Sequence, residues 1–258
     1  QAAAKGDRTA QRAAGIGYVT GVFGLLDPFK AAGFFKSAVA AGDIAAMPLY
    51  AHMMFAGTGV EKDEAGAEQL IERAAGAGLT IAQETLGMWI LERYKAGVIS
   101  DPGEGVRWLE RAYQDGHSIT ALDRLAVFYA DEGRGPQWRD RLKAFELFRM
   151  AAAYSEPRAQ FGYATALQFG HGGSRDLPGA YARYEVARQM NNSSTAVQRQ
   201  KTLETMLSPA EKDAALEAAR LIRRDLKPIP RMIVLQQADQ PKPPSPWAAA
   251  QQPAPAKP

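Results

Sequence analysis

The chain has 258 residues, is 46% hydrophobic, contains no cysteine and has a formal net charge of +3. The lack of cysteine excludes disulfides, zinc–thiolate sites and thiol catalysis. The net positive charge lies entirely in residues 226–258, so the remainder is neutral. A neutral body lacks the concentrated basic face of a nucleic-acid groove, so we expect no nucleic-acid partner. No apolar run reaches membrane-spanning length, so we expect no transmembrane segment.

Five aspartates recur at intervals of 36, 38, 39 and 36 residues: Asp27, Asp63, Asp101, Asp140 and Asp176. A small residue follows four positions later, a large apolar residue eight positions later and an alanine eleven positions later. Offsets of 4, 8 and 11 share one face of an α-helix. Each aspartate is therefore predicted to be the N-cap of a helix. The eleventh-position alanines, expected to be buried, are Ala38, Ala74, Ala112, Ala151 and Ala187.

A second helix is predicted before each aspartate, because large residues recur there at steps of four with a small residue beside them. Tyr50-Ala51 and Leu86-Gly87 are two such pairs. Each copy thus reads as helix, turn, helix. Three copies end at Gly42, Gly78 and Gly116, where glycine can terminate the second helix. We expect at least ten helices between residues 9 and 192, with no substantial sheet.

The fullest copies contain Gly57-Thr58-Gly59-Val60 before Asp63 and Gly97-Val98-Ile99-Ser100 before Asp101. Over about residues 9–192, this pattern resembles the Sel1-like repeat family, a relative of the tetratricopeptide repeat. Copy four departs from it with a longer turn, and copy one lacks the Gly-x-Gly-Val turn. The resemblance implies an all-α fold, an α/α superhelix (solenoid), and an adaptor role. It implies no catalytic residues.

Residues 193–225 are predicted to form two further helices. The first is expected over 193–207, and the second follows the capping-box sequence Ser208-Pro209-Ala210-Glu211 and continues to about Asp225. A solenoid needs a polar cap over its last apolar face, and this helix pair suits that role. We therefore predict a repeat region over 1–192, a cap over 193–225 and a tail over 226–258.

The tail contains nine of the 16 prolines and is predicted to be extended. Two interpretations stay open: a plain linker, or a docking segment that binds a partner. The docking interpretation rests on an apolar island over 229–235 and a polyproline-like stretch over 241–247. Its candidate protein-binding residues are Ile229, Met232, Ile233, Val234, Leu235 and Trp247.

No catalytic constellation is recognisable. The three histidines, His52, His117 and His171, do not stand at metal-ligand spacing. The glycine-rich turn over 170–173 lacks a phosphate-loop lysine, and no serine stands in a nucleophile elbow. We therefore predict no catalytic residue, no cofactor and no metal ion. Four helical aromatics are interpreted as core, with a concave-surface hot spot as the alternative: Trp89, Trp108, Phe128 and Phe148.

These observations predict a non-enzymatic protein–protein interaction scaffold whose partners bind in the concave groove, through the tail, or both. The expected setting is a bacterial envelope-associated complex, which includes the case of a membrane-associated one. The alternative is a regulatory or assembly subunit of an enzyme or envelope machine, docked through its tail. An enzyme on an α/α scaffold would require a cluster of buried, convergent carboxylates. The missing first methionine, the alanine-rich start and the proline-rich tail favour the periplasm, with the cytoplasm as alternative.

Overall fold

A computed structural model describes residues 2–3, 6–131, 137–191 and 193–229. Within those ranges the chain forms twelve α-helices and a short 3₁₀ turn over Ile44–Ala46. The helices are α1 (Arg8–Thr20), α2 (Pro28–Ala40), α3 (Met47–Ala56), α4 (Glu64–Gly76), α5 (Thr80–Lys95), α6 (Gly103–Gly116), α7 (Ile119–Ala130), α8 (Arg141–Ala151), α9 (Pro157–Phe169), α10 (Leu177–Asn191), α11 (Ser194–Glu204) and α12 (Pro209–Asp225). Over the described ranges, strand pairing is confined to one isolated bridge between Tyr154 and Lys227. The predicted all-α fold of paired helices is confirmed.

The five repeated aspartates begin the second helix of each repeat, as predicted. Each side chain accepts a hydrogen bond from a backbone N–H two or three residues later, which satisfies a donor that the first helical turn leaves free. The pairs and their oxygen–nitrogen distances are Asp27–Lys30 at 2.9 Å, Asp63–Gly66 at 2.8 Å, Asp101–Gly103 at 2.9 Å, Asp140–Lys143 at 2.9 Å and Asp176–Gly179 at 2.8 Å. The aspartate spacing therefore fixes where each second helix begins.

The face marked by the offsets of 4, 8 and 11 is buried. The alanines at offset 11 that belong to α2, α4, α8 and α10 have no exposed surface, and the same holds for Ala112 of α6. A small residue also permits close approach between α5 and α6. A Cβ atom at Gly105 would lie 2.9 Å from the carbonyl oxygen of Gly87, so alanine does not fit there without displacement.

The predicted helix end at Gly116 is confirmed, but the left-handed residue that follows it is not a glycine. Gly42 and Gly78 adopt the left-handed backbone conformation, with φ of 81° and 89°. In the third repeat, Gly116 is still helical and His117 takes the left-handed conformation, with φ of 51°. Histidine is among the non-glycine residues that tolerate this region best. Ser118 then caps α7 by accepting a hydrogen bond from the Ala121 N–H at 3.0 Å.

The chain divides into two compact units, and the division falls inside α6 between Trp108 and Leu109. In unit 1, which precedes the division, a partly buried ion pair joins α1 to the start of the second repeat. Arg12 Nη1 lies 2.6 and 2.8 Å from the two carboxylate oxygens of Asp43. Asp43 also caps the 3₁₀ turn by accepting from the Ala45 N–H at 3.0 Å. One carboxylate thus serves both a helix start and an inter-repeat contact.

In unit 2, which begins at Leu109, α11 and α12 pack on α10 and share a continuous core with it. The predicted capping box is present, because Ser208 and Glu211 exchange hydrogen bonds at the start of α12. These helices lie where the sequence placed them. The predicted division of the chain into a repeat region, a cap and a tail, with boundaries after residues 192 and 225, stays a prediction.

A buried carboxylate holds α10 and α11 together. Glu185 accepts hydrogen bonds from Arg188 Nε at 2.9 Å, from Gln189 Nε2 at 2.6 Å and from Gln200 Nε2 at 2.9 Å. The Arg188 hydrogen bonds are the main cause that lowers the pKa of Glu185 from its ordinary 4.5 to about 2; burial opposes them and both glutamines add to them. The folded state therefore favours the ionised carboxylate.

We predict that Glu185→Gln lowers the free energy of unfolding at pH 7 by about 1.5–3 kcal/mol, the range for hydrogen bonds to a charged group. A lowered folded-state pKa gives stability that is present above pH 4.5 and is lost as the pH falls to about 2. The deficit of the variant should therefore vanish over that interval in urea unfolding. Glu217→Gln, which breaks the exposed Glu217–Arg220 pair, should cost no more than about 0.5 kcal/mol. An equal loss of unfolding free energy in both variants would show that the Glu185 hydrogen bonds do not stabilise the fold more than an exposed ion pair does.

We also predict that Ala74→Leu destabilises the protein by roughly 1–3 kcal/mol, because Ala74 is fully buried and a larger side chain overpacks the helix contact. Ala65→Leu, on the exposed face of the same helix α4, should change stability by less than about 0.5 kcal/mol. Thermal unfolding followed by circular dichroism measures both. An unchanged melting temperature for Ala74→Leu would show that the close contact is misplaced.

Candidate protein-binding groove

Unit 2 contains a groove of about 910 Å³ that follows α9, and we call it the α9 groove. Side chains of α9 contribute the largest share of its lining, which we call the floor, and residues of α7 and α8, of the end of α10 and of the start of α11 complete it. The floor residues used below are Phe161, Gly162, Thr165 and Phe169, and the bordering residues are Val127, Asp131, Arg141, Asn191, Ser193 and Thr195. The first helix of each repeat in this unit therefore contributes to one surface.

Local sequence signals fix both ends of α9. Glu156 caps the helix by accepting from the Arg158 N–H at 3.3 Å, and Pro157 occupies the first helical turn, where its missing N–H has no consequence. Gly170 ends the helix in the left-handed conformation, with φ of 71°. Within the helix, a Cβ atom at Gly162 would lie 2.3 Å from the Phe148 ring. The absence of a side chain at Gly162 lets α8 pack closely beneath the groove.

Tyr184 of α10 supports the floor from below. Its ring is fully buried and packs against Phe161 with ring centroids 5.3 Å apart. Its hydroxyl donates to Gln168 Oε1 at 2.8 Å and lies 3.0 Å from Thr165 Oγ1. Three side chains of α9 are thus fixed by one tyrosine, so the floor is a preorganised surface.

Two large apolar side chains that line the groove remain exposed. Val127 on α7 is 49% exposed, and Phe169 at the end of α9 is 48% exposed. The guanidinium of Arg199 lies 5.6 Å from the Phe169 ring centroid, and the His171 ring stacks on Phe169 at 5.9 Å. Exposed apolar area with a polar and cationic border is the usual composition of a protein-binding surface.

Arg158 is a charged residue that lines the groove. Its guanidinium pairs with the fully buried carboxylate of Asp123. Burial raises the pKa of Asp123, and the positive charge of Arg158 opposes that change. Removing Arg158 would leave a buried carboxylate without its cation, which is costly. Asp131 and Arg141 also line the groove. A partner would therefore meet charges of both signs around an apolar centre.

The residues predicted from the sequence fall into two groups. Ile229 lies just after α12 and is 41% exposed, whereas Met232, Ile233, Val234, Leu235 and Trp247 lie outside the described residues. Of the helical aromatics, Trp108 and Phe128 are buried in the core as interpreted. Phe148 is buried but lines the groove as well, and Trp89 stacks on Phe55 at 5.2 Å.

The groove residues Val127, Phe161 and Phe169 were not singled out from the sequence. Each is an apolar residue on the first helix of a repeat, where the periodic pattern predicts core. A weak signal was available for Phe169, which stands next to the glycine that ends α9. The exposure of these side chains depends on the neighbouring helices, and a single sequence does not report that.

Unit 1 has two further surface features. The turn between α1 and α2 and the first turn of α2 expose several large apolar side chains: Val22, Phe23, Leu25, Leu26 and Phe29. A second cavity of about 640 Å³ is bordered by Glu68, Glu72, Asp101 and Glu104, with Arg93 beside them. Burial, followed by Glu68 and Glu104, raises the pKa of Glu72. None of the four carboxylates is buried.

The sequence profile of the Sel1 repeat matches residues 9–43, 44–79, 81–117, 119–153 and 157–189. The chain belongs to the Sel1 repeat family. The five matched segments coincide with the five pairs from α1–α2 to α9–α10, so the predicted resemblance is confirmed. Proteins of this family generally act as protein–protein interaction scaffolds and are typically non-enzymatic.

Solved structures include similar proteins. A Sel1 repeat protein from Oxalobacter formigenes is 25% identical, with 83% of this chain and 87% of that chain covered and a TM-score of 0.67. A protective antigen present in uropathogenic Escherichia coli strains, described as displaying an SLR fold, is 20% identical with a TM-score of 0.45; the alignment covers 87% of this chain and 62% of that chain. A search of curated protein sequences found no significant match.

Proposed function

We propose that this chain is a non-enzymatic scaffold that binds a partner protein through the α9 groove. The observation that carries the proposal is the pair of exposed apolar side chains, Val127 and Phe169, beside a floor that Tyr184 holds in place. A preorganised apolar surface binds with a smaller entropic cost than a mobile one. The general role of Sel1 repeat proteins as interaction scaffolds supports the same assignment.

The proposal that the chain is not an enzyme rests on two observations: Sel1 repeat proteins are typically non-enzymatic, and the α9 groove has the composition of a protein-binding surface. The α9 groove has an apolar centre with dispersed charges of both signs. In the part of the chain that the structure describes, no group of three or more histidine, cysteine, aspartate or glutamate side chains could hold a metal ion. The groove is therefore better suited to a protein segment than to a reacting small molecule.

The proposal extends to a bacterial envelope complex in the periplasm, supported by the alanine-rich start and the proline-rich tail. None of the described helices is long and apolar enough to cross a membrane. The alternative role is a regulatory or assembly subunit that is docked through its tail, and the alternative compartment is the cytoplasm. Fractionation of cells that express the complete gene product, with compartment markers, distinguishes the two compartments.

The binding site can be tested with peptides selected from a displayed library against the full chain. Val127→Asp and Phe169→Asp should each raise the dissociation constant at least about tenfold, because each places a charge where apolar area would be buried. Leu142→Asp is the matched control, since Leu142 lies in the same unit, is 60% exposed and does not line the groove. Its affinity should stay within about twofold of the unmodified chain.

Calorimetric titration measures these affinities, and circular dichroism verifies that all three variants remain helical. Selected peptides that bind both groove variants as tightly as the unmodified chain would show that the α9 groove is not the binding site. An equal loss for Leu142→Asp would show that the effect is a general consequence of the introduced charge.

A further inference from the structure

The start of the tail is held by the turn between α8 and α9. The Lys227 N–H donates to the Ala153 carbonyl at 3.0 Å, and the Ser155 N–H donates to the Lys227 carbonyl at 2.9 Å. The Ser155 hydroxyl also donates to the Lys227 carbonyl, at 3.2 Å, which makes three hydrogen bonds between the two segments. Leu226 packs against the core of unit 2 immediately before this point. The tail therefore leaves the described part of the protein from a fixed position.

The direction in which the tail leaves is also fixed. The bridge between Tyr154 and Lys227 is parallel, so the chain after Lys227 runs in the same sense as the chain after Tyr154. After Tyr154 the chain proceeds to Pro157 and Arg158, and both of these residues line the α9 groove. At Lys227 the chain therefore runs in the direction of the end of the groove that Pro157 and Arg158 line.

The next segment of the tail has the composition and the length to fill the groove. The island from Ile229 to Leu235 begins two residues after Lys227 and contains five apolar residues among seven. Seven extended residues span about 23 Å, and the thirteen residues of α9 rise about 20 Å. Ile229, the first residue of the island, is 41% exposed in the described structure and has apolar area still to bury.

We propose that the island, residues 229–235 of the same chain, occupies the α9 groove and competes there with the partner protein. The inference rests on the proposed function of the groove as the binding site. Burial of apolar side chains drives the association, and the anchor at Lys227 makes it intramolecular, which raises the effective concentration of the island at the groove. The tail then acts as a competitor that a true partner must displace.

The direction of the chain after Lys227 predicts which groove residue the end of the island contacts. Val127 lines the α9 groove and corresponds in the repeat register to Thr165, in the second half of α9, so we expect Leu235 at the end of the island to lie near it. Because the chain contains no cysteine, thiol pairs can be placed without background. We compare Val127→Cys/Leu235→Cys with the control Glu217→Cys/Leu235→Cys. Glu217 lies on the exposed face of α12, eight residues or about 12 Å before Asp225, within reach of a tail that moves freely.

At low protein concentration with a short bismaleimide, the Val127 pair should form an intramolecular cross-link about tenfold faster than the Glu217 pair. Adding Ile233→Asp should reduce the rate to that of the control, whereas Gln237→Asp, just beyond the island, should leave it unchanged. Equal rates for the two pairs would overturn the proposal. So would cross-linked dimers, which would place a second copy in the groove, or preferential cross-linking of Leu235→Cys to Leu25→Cys on the exposed turn of unit 1.

This measurement needs no partner, so its failure is distinct from failure of the proposed function. If library peptides bind the groove but the Val127 pair shows no preference, the groove is a binding site and the tail does not occupy it. If the cross-link forms as expected, Ile233→Asp in the full chain should bind a groove-selected peptide several-fold more tightly, because its competitor is weakened. An unchanged affinity would show that the island does not compete.

Discussion

The structure depends on the close approach of helices that cannot bury their apolar faces alone. Each second helix places an alanine without exposed surface at the contact, for example Ala74 in α4 and Ala187 in α10. A larger side chain at such a position would separate the helices and disrupt the contacts on both sides. Gly105 meets the same constraint, because even one added carbon would lie against the backbone of Gly87. The repeat pattern is therefore a packing requirement that recurs along the chain.

The same constraint explains which features could be predicted from the sequence. Aspartate caps and buried alanines follow from chemistry within one helix pair, so the register of Asp27, Asp63 and their equivalents was sufficient. The left-handed conformation of His117 was missed, because glycine at position 116 was the stronger local candidate. Two buried glutamines were also missed. Gln83 and Gln160 donate to the carbonyls of Ala75 and Ala152 respectively, eight residues earlier.

The sequence predicted that a binding groove exists but not which residues line it. A surface formed by first helices follows from stacking of helix pairs, but the exposure of Phe169 depends on how α9, α10 and α11 meet. The tail shows the same limit. Its apolar island is visible in the sequence, whereas the parallel pairing of Lys227 with Tyr154 joins residues more than seventy positions apart. Local sequence does not encode such a contact, and it is this contact that relates the tail to the α9 groove.

The most direct test of the central claim, that the α9 groove is where a partner protein binds, is hydrogen exchange with and without a peptide selected for binding to the full chain. Exchange should slow on binding in α9 and at the start of α11, because the peptide covers these helices. Helices of unit 1 should exchange at unchanged rates. Protection confined to residues 21–29, with α9 unaffected, would show that the binding site lies in unit 1 and not in the α9 groove.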